Sequence, residues 1–150
     1  MSEDVSVENT RASLSLAGTL TMPVDNSAKA AVILASGSGA QNRDEEIAGH
    51  RPFKTIAESL SERGFAVLRL DDRGTGLSNG DFQSATGADL AEDVRYGLLW
   101  LRKRFPDIPA GIIGHSEGGS HAIRAAAGGE TDFIVTMGAP AWKGDSVIMS

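Results

Sequence analysis

A chain of 150 residues with 14 Lys and Arg against 20 Asp and Glu carries a formal net charge of −6 and an isoelectric point near 5.0, which argues against a nucleic-acid or anionic-membrane partner, since either would require a basic patch. The absence of cysteine excludes disulfides, thiolate metal sites and a cysteine nucleophile, and the three histidines, His50, His115 and His121, show no metal-ligand spacing. Such a length suits one domain spanning 1–150, able to bury about 70% of its unfolded surface, and neither Met1 to Val5, which lacks a signal-peptide pattern, nor the short apolar run Ala30 to Ala35 suggests export or a bilayer span.

In chain order, Ser13 to Pro23 alternates apolar and polar residues around Gly18, which predicts a hairpin or a bent pair of half-exposed strands. Asp25-Asn26-Ser27 then makes a turn, and Ala30 to Ala35 is a continuous apolar strand of the kind covered on both faces. A polar, glycine-rich loop follows from Ser36 to Asp44. From about Pro52 to Arg63, Phe53, Ile56, Ala57 and Leu60 fall at helical spacing, with Gly64 as the stop. Phe65 to Leu70 is the next strand, closed by Asp71 to Gly76. Between about Thr86 and Phe105, Leu90, Val94, Leu98, Leu101 and Phe105 form one stripe, and Thr86 with Asp89 gives a capping box. A strand from Gly111 to Ser116, a helix from Glu117 to about Ala127 and a strand from Phe133 to Met137 complete the pattern.

Strands alternating with helices from residue 30 onward predict an α/β fold: a mostly parallel sheet with right-handed crossovers, helices on both faces and antiparallel strands at the N-terminus. The working site of such a sheet lies at the carboxyl ends of its strands, where Ser36 to Asp44, Asp71 to Gly76 and Ser116 all fall.

The chemistry concentrates in Gly114-His115-Ser116-Glu117-Gly118. A strand that turns abruptly into a helix strains the residue at the turn, and only small neighbours two residues away on each side tolerate it. Gly114 and Gly118 supply that room, so Ser116 is the candidate catalytic nucleophile on a nucleophile elbow. The backbone N–H of Glu117 is one candidate oxyanion-hole donor, and that of Ser38, between Gly37 and Gly39, is the second. Neither a dinucleotide fingerprint nor a P-loop is met by Gly37-Ser38-Gly39, so no nucleotide cofactor is expected, and none of the histidine spacings suggests a metal.

A base is harder to find. His121 lies in the helix that leaves the turn and is expected to point away from the hydroxyl. His115 faces the other side of the strand as a packing or loop-anchoring residue, and His50 precedes the first helix. Asp132 and Asp145 are the downstream aspartates, and neither has a histidine partner.

Leu16-Ala17-Gly18-Thr19-Leu20, Ser36 to Gly39 with Arg43-Asp44, Leu68 to Ser78 and Gly114 to Gly119 together resemble the α/β-hydrolase superfamily, in its bacterial carboxylesterase branch, which is EstD-like and serine aminopeptidase-like. The resemblance implies a serine hydrolase acting on a small ester or acyl substrate, with Ser116 as nucleophile, Ser38 and Glu117 forming the oxyanion hole, and Asp72-Arg73-Gly74 as a bracing turn whose aspartate is not the triad acid. It also implies that the lid, the acid and the histidine lie beyond residue 150, which would make this the truncated N-terminal part of a hydrolase core and leave it inactive by itself. A non-catalytic α/β interaction module, or an acyltransferase or peptidase on the same fold, are the alternatives. The strand Phe133 to Met137 is expected as an apolar edge through which the chain self-associates. A cytoplasmic protein with no nucleic-acid, membrane or cofactor partner is the remaining expectation.

Overall fold

The computed structural model describes residues 1–138. Among these residues six strands form one mixed sheet: β1 (Ser2–Asn9), β2 (Leu14–Thr21), β3 (Ala30–Ala35), β4 (Phe65–Leu70), β5 (Ala110–His115) and β6 (Phe133–Met137), in the order β1-β2-β4-β3-β5-β6. The first two run antiparallel to each other, and β2 runs antiparallel to β4. From β4 through β3 and β5 to β6 every pairing is parallel. The expected fold class is therefore the observed one.

The N-terminal hairpin is a correction. Ser13 to Pro23 is not a hairpin folded about Gly18 but carries a single strand, Leu14–Thr21, whose partner is the polar segment Ser2–Asn9, with Val5 opposite Gly18. Gly18 sits inside the strand because a Cβ there would collide with the carbonyl oxygen of Arg69 on β4. The residue that looked like a turn marks a close approach of two backbones.

Among the described residues three helices cover the sheet: α1 (Pro52–Glu62), α2 (Gly87–Arg104) and α3 (Glu117–Ala126). The pleat divides their work. Ala31, Ile33 and Ala35 of β3, with Leu68 and Ile112, pack with Leu98 and Leu101 of α2 and Ala122 and Ala125 of α3. Val32 and Leu34, with Val67, pack with Phe53 and Ala57 of α1. Strand β3 is thus buried along its whole length, as its unbroken apolar run predicts. At the start of α2 the Thr86 hydroxyl accepts the Asp89 N–H at 3.1 Å while the Asp89 carboxylate accepts the Thr86 N–H at 2.9 Å, which is the predicted capping box.

Connectivity places the site. From β3 the chain crosses by α1 to β4 on one side, whereas from β5 it crosses by α3 to β6 on the other. Neighbouring strands whose exits diverge leave a crevice at their carboxyl ends. That crevice lies between the loop after β3 and the turn after β5.

Candidate active site

Ser116 is the residue between β5 and α3, and it stands at φ 55° and ψ −123°. An L-residue avoids that region because its Cβ crowds the neighbouring peptides, at a cost on the order of 1–3 kcal/mol. Surrounding structure enforces it: the Ser116 N–H donates to the Met137 carbonyl at 2.8 Å, and the Ser116 carbonyl accepts the Gly119 N–H at 2.9 Å. A Cβ at Gly114 would strike the Gly118 carbonyl oxygen, and one at Gly118 would strike the Ala35 carbonyl oxygen and lie 2.7 Å from that of Ser36. Both glycines are therefore required by backbone on every side, and the Ser116 side chain is left half-buried at the surface of the crevice.

The Glu117 N–H opens α3 and has no hydrogen-bond partner among the described residues. On the facing loop the Ser38 N–H is likewise unpartnered among the described residues, and Ser38 itself is exposed. That loop abuts the turn: a Cβ built on Gly37 would lie 3.4 Å from the Ser116 Cβ. The structure therefore brings Ser116, the 37–38 peptide and the first amide of α3 together, at the positive end of a helix.

Charged side chains tie this loop down. Asn42 closes a turn, its side-chain oxygen accepting the Asp44 N–H at 3.1 Å and the Glu46 N–H at 3.2 Å. Three consecutive side chains then diverge. Arg43 donates to Asp71 at 2.9 Å and to the Thr19 hydroxyl at 2.8 Å. Asp44 pairs with Arg69 of β4. Glu45 turns inward, becomes fully buried, and accepts the Gly37 N–H at 2.8 Å.

The second clamp is the loop after β4. Asp72 accepts the Ser36 hydroxyl and the Gln41 N–H, each at 2.9 Å, so it braces the loop after β3 as the resemblance implied. Burial pushes its carboxyl up to about 6, against the opposing pull of those two donors. For the neighbouring Asp71, burial works to raise the carboxyl, yet the hydrogen bonds from Arg43 and the Leu77 amide outweigh it and hold it below the usual range. Arg73 reaches back to Asp93 of α2 with two bonds of 2.8 Å, and Asp93 also accepts from Asn9 of β1 at 2.7 Å.

No histidine approaches Ser116 as a hydrogen-bonded base among the described residues. His115 faces the α1 side, edge-on to Phe53 with ring centroids 6.5 Å apart. His121 lines a small cavity with Ser36, Gly37, Asp72 and Asp93, where burial lowers its proton affinity. His50 is exposed and pairs only its backbone, with Ile47. Asp132 is spent on Arg102 and the Ala110 N–H, at 2.8 and 2.9 Å, beneath the opposite end of β5. Asp145 lies outside the described residues. The buried Glu45 was invisible to sequence reasoning, since in Arg43-Asp44-Glu45-Glu46 it reads as one more solvated charge; the adjoining Asn42 turn was its single available signal.

Residues 26–147 match the family described as serine aminopeptidase, S33. Among curated proteins, the esterase EstD of Thermotoga maritima is 32% identical over 127 residues, covering 84% of this chain and 31% of its own length. A monoglyceride lipase homolog of monkeypox virus is 29% identical over 99 residues, covering 65% of this chain and 33% of its own. The chain therefore spans about a third of the length of these relatives. Among solved structures, an esterase of Pyrococcus furiosus superposes with a TM-score of 0.75 at 26% identity, covering 95% of this chain and 51% of that one. An α/β serine hydrolase without a lid from Xanthomonas campestris gives 0.74 at 23% identity, covering 95% and 63%. Among the described residues, no helix is long and apolar enough to cross a membrane.

Proposed function

The chain belongs to the serine aminopeptidase S33 family, within the α/β-hydrolase fold, and on that premise we propose that Ser116 is the nucleophile of a serine hydrolase acting on small carboxylic esters. One observation carries this reading. A residue that bears a side chain is forced to φ 55° where a buried strand meets a helix, beside amide hydrogens that no group among the described residues accepts from. Strain of this kind persists only where the surroundings over-determine it, and it concentrates at working sites.

In this reading the Ser116 Oγ attacks the ester carbonyl carbon as its proton passes to a base. The carbonyl oxygen becomes an oxyanion received by the Glu117 and Ser38 N–H groups, each donor contributing about 3–4 kcal/mol at the transition state. Collapse expels the alcohol, which takes up the proton, and water then releases the acid from acyl-Ser116 by the same steps. The base is not one of the three histidines. His115 is committed beside Glu45, His50 lies out on the loop, and His121 belongs to the packed cavity on the α2 side. We place the base and its acid partner in sequence outside these 150 residues, and expect the chain by itself to turn over ester poorly or not at all.

A fluorophosphonate probe read by mass spectrometry tests the assignment. Ser116 should be modified slowly in this chain, faster in a longer gene product that contains it, and not at all after Ser116→Ala. Modification of neither protein would favour the non-catalytic interaction module, and product analysis with amines or amides separates the acyltransferase and peptidase alternatives from ester hydrolysis.

We also place a second copy of the chain against β6, which with β1 is one of the two edge strands among the described elements and where Ile134 and Val135 are 39% and 46% exposed. Light scattering should show a mass above that of the monomer, reduced by Val135→Lys. A clean monomer at high concentration would rule this out.

A further inference from the structure

We propose that Glu45 is a positioning residue that latches the 37–38 peptide to the Ser116 turn, one carboxylate oxygen holding the Gly37 N–H and the other holding the His115 ring. The proposal rests on the reading of Ser116 and the Ser38 amide given above. Its geometry is independent of that reading.

Glu45 is 1% exposed, yet it is a glutamate in a polar loop. An isolated buried carboxylate is unfavourable, so such a group is retained where hydrogen bonds and charge partners surround it. Two partners do so here, on separate segments. Oε2 accepts the Gly37 N–H at 2.8 Å. Oε1 lies 2.7 Å from His115 Nδ1, a close approach rather than a hydrogen bond of good angle, and both atoms are buried with no hydrogen-bond partner among the described residues. The backbone of Glu45 is itself held at φ 50°, a conformation that costs an L-residue and that aims the side chain inward.

What the carboxylate joins gives the contact its consequence. Gly37 immediately precedes Ser38, and a Cβ on Gly37 would meet the Ser116 Cβ and the His115 carbonyl oxygen, each at 3.4 Å. His115 immediately precedes Ser116. One side chain therefore fixes the residue before the candidate oxyanion donor and the residue before the candidate nucleophile, so it sets the distance between the two. By taking the Gly37 N–H it also leaves the Ser38 N–H as the amide of that pair without a partner among the described residues. A carboxylate oxygen and an imidazole nitrogen at this separation avoid lone-pair repulsion with the ring hydrogen on Nδ1, so the latch assigns His115 that tautomer.

That tautomer separates a specific latch from ordinary packing. In Glu45→Gln the amide oxygen can still accept the Gly37 N–H, while the amide nitrogen now donates to Nδ1, which switches His115 to the tautomer protonated at Nε2. Glu45→Leu keeps the approximate volume and loses both contacts.

The experiment uses the 150-residue chain. Two-bond proton–nitrogen spectra of the His115 ring should show Nδ1 protonated in the wild type and unprotonated in Glu45→Gln. Gly37 amide exchange should be slow in both and at least about tenfold faster in Glu45→Leu. Fluorophosphonate modification of Ser116 should slow at least about tenfold in Glu45→Leu, since small misplacements of reacting groups carry large rate penalties, and return to within about threefold of the wild type in Glu45→Gln. The same His115 spectrum in wild type and Glu45→Gln, or Glu45→Leu modified as fast as wild type, would overturn the latch. If the wild type is not modified at all, that result bears on the base and the nucleophile and not on the latch, and the ring spectrum and Gly37 exchange alone decide the latch.

Discussion

Ile33 and Glu45 are each 1% exposed, but the reasons they are buried have little in common. Ile33 lies in the middle of the sheet among Leu68, Leu98 and Ile112, where any apolar group of about the right volume makes comparable contacts. Glu45 lies in the crown of loops at the carboxyl ends of the strands, where Arg43, Asp44, Asp71, Asp72 and Arg73 also each meet a particular partner. Apolar burial is non-directional and graded, whereas a buried charge is tolerated only with its own counterpart in place. The interior therefore sets how stable the fold is, and the crown sets where two loops stand relative to Ser116.

The sharpest way to break this contrast is at the seam between the two regions. Gly118→Val should abolish the folded state, because its branched side chain meets the Ala35 and Ser36 carbonyls, backbone groups that cannot turn aside; loss of cooperative urea unfolding is the measurement, and a soluble variant of near-native midpoint would refute the seam. Within the interior, Leu68→Ala should cost about 2–5 kcal/mol with unchanged pH dependence, since Leu68 is fully buried and touches the apolar cluster. Denaturation at several pH values checks both parts.

The crown should show the reverse pattern, a smaller change that depends on pH. Asp72 carries its carboxyl at about 6 against an ordinary 3.8, so the folded chain binds that proton more tightly than the unfolded chain does. Stability is then fullest below about pH 4 and falls as pH rises through about 6. Asp72→Asn keeps an acceptor for the Gln41 N–H and can donate to the Ser36 hydroxyl, so it should remove this slope. The variant should gain on the wild type by up to roughly 3 kcal/mol between about pH 4 and pH 7. His121, whose proton affinity burial lowers, contributes the opposite slope as pH rises toward about 6.5. That contribution is common to both proteins and cancels in the comparison. A difference independent of pH would show that Asp72 is ionised without cost.

Most of the parallel sheet was legible because its signals are local. The apolar run of β3, the stripe of α2 and the Thr86 to Asp89 cap occupy the residues expected of them. β1 was not legible. Ser2–Asn9 offers only Val5 and Val7 as apolar residues, and it is a strand because β2 presents an edge to it. Gly18 misled for the same reason: a glycine can mark a turn or the approach of a backbone four dozen or more residues away in sequence, and spacing along the chain does not distinguish them.

The alternation of apolar runs with helical stripes, and the glycines two before and two after Ser116, determined the fold class and the one serine worth naming, because those signals rest on interactions among near neighbours. Tertiary structure alone decided that Glu45 is interior and which atoms meet in the crown: the Asp72 brace implied by the resemblance acts through the Ser36 hydroxyl and the Gln41 N–H, and His115, expected as an anchoring residue, stands beside Phe53 and Glu45. The physical reason is that a charge is solvated or buried according to which distant groups close over it, and those groups are brought together only when β3, β4 and β5 lie side by side.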